Sequence, residues 1–218
     1  MVSNHAFVTT VMLASGLAWI AAAAFQAPAV SKEPRFPQLT MEQLSDRQRP
    51  LAEQIMKVSS VGLAGPYNPM LRSPEFAQRM YNLVDYLRWH TSVPTRLNEF
   101  AILIQGRLWR SQVEWYAHGP LAIKAGLSPQ IVADLKANKR PQGMQPDEDA
   151  VYDFCMELAT KHEVTDATFA RLKQFFNEQQ IVDLAAVSGT YVTVAMILAM
   201  AEEGVPPGKE PPFKPGEP

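Results

Sequence analysis

The sequence predicts an all-α fold, a multi-helix bundle, on three observations. Apolar residues recur at helical spacing, as in Phe76, Met80, Leu83, Val84 and Leu87. Capping residues and prolines punctuate these runs, since Ser73-Pro74, Ser128-Pro129 and Thr165-Asp166 each carry the chemistry of a helix start. Alternating apolar and polar segments bounded by hairpin turns do not occur, and neither does an internal repeat.

The elements follow in order. Residues 1–27 contain no Lys, Arg, Asp or Glu, and an apolar run over 7–25 ends in four alanines before Pro28. That pattern reads as a secretory signal peptide cleaved near Ala24 or Ala27, or as an uncleaved N-terminal anchor. Either places the rest of the chain in the periplasm or outside the cell; a cytoplasmic protein with a misleading start is the third reading. Residues 28–39 form a proline-punctuated linker. The helical domain spans 40–205. Thr40 caps a short helix at 41–44, a second turn covers 49–57, and 62–69 is a loop by composition. Helices are predicted at 74–90, 95–108, 111–125, 128–137, 147–162, 165–176 and 178–202. The segment 95–108 reads as mostly buried, Gly126 as a C-cap, and the very apolar 181–200 as a helix through the core. The proline-rich tail, 206–218, cannot be helix and is expected as a surface strap or a disordered end.

Composition narrows the function. With 218 residues, 47% apolar and 19% charged, the chain can build one sizeable core and is unlike a disordered one. A net charge of −2 and the absence of any basic run give no reason to expect nucleic acid as a partner. The single cysteine, Cys155, excludes an intrachain disulfide, a CxxC redox pair and a cysteine-rich zinc site. It falls in an amphipathic helical run and reads as a buried, inert thiol. His90 and His162 lie near predicted helix C-termini and read as capping cations.

The chemistry concentrates between Glu99 and His118. On a helix Ser111, Glu114 and His118 share one stripe, and Glu114 with His118 is an i, i+4 pair. His118 is the candidate general acid, with Glu114 orienting its imidazole. Arg107 or Arg110 would clamp a substrate carboxylate, and Trp115 and Tyr116 would wall the pocket. The same residues have plainer uses, the glutamate–histidine pair as an ion pair and the tryptophans as core packing. One straight helix would hold Glu99 and Glu114 about 22 Å apart, so a shared site needs a break between Gly106 and Ser111 or a neighbouring subunit. A divalent metal on Glu99, Glu114 and His118 is a rival reading, although HExxH and ExxH spacings are absent. A nucleophilic serine is another, although Ser111 lacks a Gly-x-Ser-x-Gly elbow.

This spacing resembles the carboxymuconolactone decarboxylase and alkylhydroperoxidase D family. The segments Gly65-Pro66-Tyr67-Asn68, Arg72-Ser73-Pro74-Glu75, Arg96-Leu97-Asn98-Glu99 and Ala125-Gly126-Leu127 look like it too, and the resemblance covers residues 39–205. It implies an alkylhydroperoxidase D-like bundle that assembles as a homo-oligomer, a trimer or hexamer. The peroxidase branch carries a glutamate, a CxxC pair and a histidine. Glu99 and His118 match, but Ser111 and Glu114 stand where the cysteines would be, which argues against thiol peroxidase chemistry. The decarboxylase-like branch implies a lyase without cofactor or metal, acting on a small carboxylated or lactone-type compound through Glu99, Ser111, Glu114 and His118. The alternative is a non-catalytic ligand-binding or assembly protein on the same fold. Contact with a membrane is expected only through an uncleaved N-terminal segment.

Overall fold

In the computed structural model, residues 33–59 and 62–214 are described, together with Met1, and nearly all of the segment expected to be a signal peptide or anchor lies outside them. They form nine α-helices and no strand: α1 Arg49–Val58, α2 Tyr67–Met70, α3 Pro74–Asp85, α4 Thr95–Leu108, α5 Gln112–Lys124, α6 Pro129–Lys136, α7 Pro146–Thr160, α8 Asp166–Leu172 and α9 Glu178–Ala201. A 3₁₀ turn at Met41–Gln43 precedes α1. Two expectations shift. Residues 67–70 of the anticipated loop wind into α2, and the helix begun at Asp166 stops at Leu172. Asn177 then takes an extended backbone to cap α9, its side chain accepting from the Gln180 N–H.

The apolar run predicted to be buried is the axis of the molecule. Every residue of α4 from Leu97 to Arg107 is buried, and α5, α7 and α9 pack around it. A helix enclosed on all sides has no solvent face to keep, which explains its apolar run, and the polar residues it buries donate to neighbouring segments, Asn98 to Leu87, Gln105 to Ser188 and Arg107 to Lys136. Phe100, Leu103 and Ile104 are wholly buried, each contributing roughly 1.5–3 kcal/mol. Among the described residues α9 is long and apolar enough to cross a membrane, but half of that stretch is covered by the protein itself. It is a core helix, as its sequence predicts. A smaller core, with Leu51, Ile55, Met70, Leu71 and Met80, joins α1 to α2 and α3.

Two irregularities shape the centre. The first is the break between α4 and α5, which falls later than Gly106. Gly106 is an interior residue of α4, and Arg110 takes the left-handed conformation at φ 50°. The Ser111 N–H donates to the Gly106 carbonyl at 2.8 Å and the Arg110 N–H to the Arg107 carbonyl at 3.0 Å, a Schellman closure. Ser111 then caps α5. A Cβ on Gly106 would sit 3.5 Å from Glu114 Cβ, ordinary contact. Gly106→Ala is therefore expected to keep the fold and raise stability by up to about 1 kcal/mol in urea unfolding; a loss of helix content would return the break to Gly106.

The second is a π-helical turn, Tyr86–His90, that continues α3. Asn98 of α4 donates its side-chain N–H to the Leu87 carbonyl inside this turn. On the other flank Asp183 of α9, 6% exposed, accepts from Tyr86 Oη at 3.1 Å and from Thr91 Oγ1 at 2.6 Å.

The described segments on either side of the helices are docked. The Arg35 N–H, in the anticipated linker, donates to the Ala201 carbonyl at 2.8 Å. The tail is a strap: Phe213 is 2% exposed, and Gln112 holds its main chain from both sides, donating to the carbonyl at 2.8 Å and accepting from the N–H at 2.9 Å.

Candidate active site

Because α5 turns back at Arg110, its first two turns lie against α4, and residues 15 and 19 positions from Glu99 come beside it. His118 Nδ1–H donates to Glu99 Oε2 at 2.6 Å, with both side chains buried. The imidazole is thus held by the carboxylate on the neighbouring helix and not by Glu114, the i, i+4 partner expected from the spacing. With Nδ1 committed, Nε2 is the nitrogen left for chemistry, and it hydrogen-bonds no described residue. The edge of the His118 ring meets Tyr191 of α9, with centroids 5.1 Å apart and planes at 87°.

Glu114 is 3% exposed, and neither of its carboxyl oxygens has a hydrogen-bond partner. Burial without a cation pushes its pKa up to about 8, with the Ser111 hydroxyl opposing the shift. Burial thus favours its protonated form, a proton donor. Ser111 caps the helix at Glu114, its hydroxyl accepting the Glu114 N–H at 3.5 Å.

Three further residues join this cluster, and only Tyr67 lies in a segment that the sequence singles out. Arg88, on the π-turn, places Nη2 3.5 Å from Glu99 Oε1. Tyr191 is buried, which raises its pKa; Arg88 opposes that shift, while Glu99, Glu114 and Tyr67 reinforce it. Tyr67 of α2 is likewise raised by burial and lowered by Arg88. Arg88, Glu99, Glu114 and Tyr67 thus all act electrostatically on Tyr191.

The other expected residues go elsewhere. Arg107 is buried, donates from Nε to the Lys136 carbonyl at 3.0 Å and lies over the Phe213 ring. Arg110 also faces that ring and donates to the Lys214 carbonyl at 3.1 Å. The strap, which no periodicity announces, has taken both proposed clamps. Trp115 packs edge-on against Phe213 at 5.2 Å. Trp115 and Tyr116 line a groove of about 520 Å³ with Val132, Lys136 and Pro212; Glu99, Glu114 and His118 do not. Among the described residues no three His, Cys, Asp or Glu side chains are grouped to hold a metal. Cys155 is fully buried in α7, where burial pushes its thiol up to about 12 against a hydrogen bond with Ser188.

No family model and no curated protein matches this chain. Solved structures do. One is the alkylhydroperoxidase AhpD core of an uncharacterized peroxidase-related protein from Ralstonia eutropha, 16% identical, TM-score 0.66, covering 77% of this chain and 89% of that one. Another is an uncharacterized peroxidase-related protein from a Silicibacter species, 18% identical, TM-score 0.65, covering 81% and 94%. The likeness is one of architecture, and it establishes the all-α AhpD-like fold that the sequence predicts.

Proposed function

We propose that this protein is an acid–base enzyme without a cofactor, a lyase of the decarboxylase-like kind acting on a small carboxylated or lactone-type compound. The observation that carries the reading is the 2.6 Å bond from His118 to Glu99 beside a neutral, unpartnered Glu114. Glu99 fixes the tautomer and stabilises the imidazolium, so that His118 Nε2 delivers or takes the proton. Glu114 donates a hydrogen bond to a carbonyl oxygen as negative charge develops on it, which a buried neutral acid does well. In a decarboxylation the C–CO₂ bond breaks and its electron pair passes into the conjugated carbonyl. His118 then protonates the carbon, giving carbon dioxide and the reduced-length product, and Nε2 regains its proton from water.

The solved structures of like fold are described as peroxidase-related, and a thiol peroxidase reading follows from those words. The sulfur it would use here is the sealed Cys155, with its thiol pushed up to about 12. The positions that flank His118 carry proton-transfer groups, which favours the acid–base reading. A non-catalytic binding protein would share the closure over Glu114 and the diversion of Arg107 and Arg110.

The test is deuterium uptake from D₂O, or carbon dioxide release, across a panel of unsaturated carboxylic acids and lactones. His118→Gln and Glu99→Gln are each expected to slow the reaction by about 10²-fold or more with helix content unchanged. Equal rates in both variants would reject these roles, and no turnover by the natural protein would leave the binding reading. Peroxide consumption with a dithiol would restore the peroxidase one.

A further inference from the structure

Arg88 is at odds with every other arginine in its class. Of the described arginines that are not fully exposed (Arg49, Arg72, Arg88, Arg96, Arg107, Arg110 and Arg171), all but Arg88 donate a hydrogen bond. The Arg88 side chain is 18% exposed, its Nε, like that of Arg171, is buried with no partner, and its pairing with Glu99 stretches to 3.5 Å. The guanidinium is otherwise supported only from one face, lying 4.5 Å over the Trp89 ring. A structural arginine beside a buried carboxylate would form the bidentate fork that its five donors allow. Here Glu99 instead gives its short bond to His118.

The backbone that presents Arg88 is itself unusual. A π-turn adds a residue per turn, is uncommon, and is found most often where a side chain must be aimed. This one is fixed at both flanks, by Asn98 on the Leu87 carbonyl and by Asp183 on Tyr86 and Thr91. Arg88 and Glu114, whose two carboxyl oxygens have no partner, both act electrostatically on Tyr191.

Building on the acid–base reading above, we propose that Arg88 is the anion-binding residue of the Glu99–His118 site and that the ligand it selects is a small planar carboxylate. The carboxylate takes the guanidinium donors in a forked pair, and the far end of the ligand meets Glu114 and His118. The substrate class is then an unsaturated monocarboxylic acid whose carboxylate sits on a saturated carbon attached to an uncharged conjugated carbonyl system, so that the electron pair of the broken C–CO₂ bond can pass into that acceptor. A dianion is disfavoured, since Glu99 already offsets part of the Arg88 charge. The role expected of Arg107 or Arg110 passes to Arg88.

The test measures binding and not turnover. The probes are sorbate, a planar unsaturated monocarboxylate, and its neutral amide, titrated by NMR or calorimetry. The natural protein is expected to bind sorbate at least tenfold more tightly than the amide. Arg88→Gln should lose about tenfold or more for sorbate with the amide unchanged, and Arg79→Gln, an exposed arginine of α3 outside the site, should bind sorbate as the natural protein does. Arg88→Lys, which keeps the charge beside Glu99, guards against misfolding of the neutral variant; without the fork it should still lose several-fold for sorbate alone. Equal affinity for sorbate and amide, no binding of either, or undiminished sorbate affinity in both Arg88 variants would overturn the proposal. Charge-selective binding lost with Arg88, in a protein that turns nothing over, would sustain it while sinking the enzymatic reading.

Discussion

Glu114→Gln is expected to flatten the pH dependence of unfolding between about pH 5 and pH 8. In the folded chain the Glu114 carboxyl holds its proton up to about pH 8, and once unfolded it releases it near 4.5. Between those values the folded state carries a proton that the unfolded state has lost, so stability falls as pH rises. One such group gives a slope of about 1.4 kcal/mol per pH unit and a full span of roughly 3–5 kcal/mol. Its contribution is intact below the lower value and gone above the upper one. Glutamine keeps the shape and cannot ionise, so the stability of the variant relative to the natural protein should climb steadily from pH 5 to pH 8 and then level off. Urea denaturation at each pH reads this directly. Parallel curves for the two proteins would mean that Glu114 ionises in place, and the neutral-donor role would fall with it.

Phe213→Ala is expected to cost about 3 kcal/mol, a large loss for a residue five from the end of the chain. The ring is 2% exposed, meets Trp115 edge-on at 5.2 Å and lies under the guanidinium groups of Arg107 and Arg110. Truncation removes all three contacts and opens a cavity against α5. The loss is held below that of a central core phenylalanine because the strap can lift away as a unit. Two readouts should move together: a lower urea midpoint, and faster amide hydrogen exchange at 112–115, where Gln112 grips the strap. An unchanged midpoint would show that the tail contributes nothing to the stability of α5.

The helices were legible because caps, prolines and apolar period are all local. Glu99 and His118 were legible as chemistry, and the turn that joins them could be inferred from the distance a straight helix would impose. Their direct bond was not, since spacing favours the i, i+4 neighbour Glu114 and cannot see a partner on another helix. Arg88 was hidden by the π-turn: the added residue rotates everything after Tyr86 off the 3.6-residue stripe set by Phe76, Met80 and Leu83. Arg107 and Arg110 were misdirected for a third reason. Their partner, Phe213, lies about a hundred positions away in a segment with no periodic signal.

The carboxylate of Asp183 has a mechanical consequence. It ties Tyr86 and Thr91, the entry and exit of the π-turn, to the helix that bears Tyr191 eight residues further on. The same turn is tied to α4 as well, since Asn98 donates to the Leu87 carbonyl, and α4 is joined to α9 where Gln105 donates to Ser188 at 2.6 Å. Arg88, Tyr191 and Glu99 are therefore mounted on one cross-braced frame. Their spacing is preset by three helices, and sliding α9 along α4 would have to break these buried bonds.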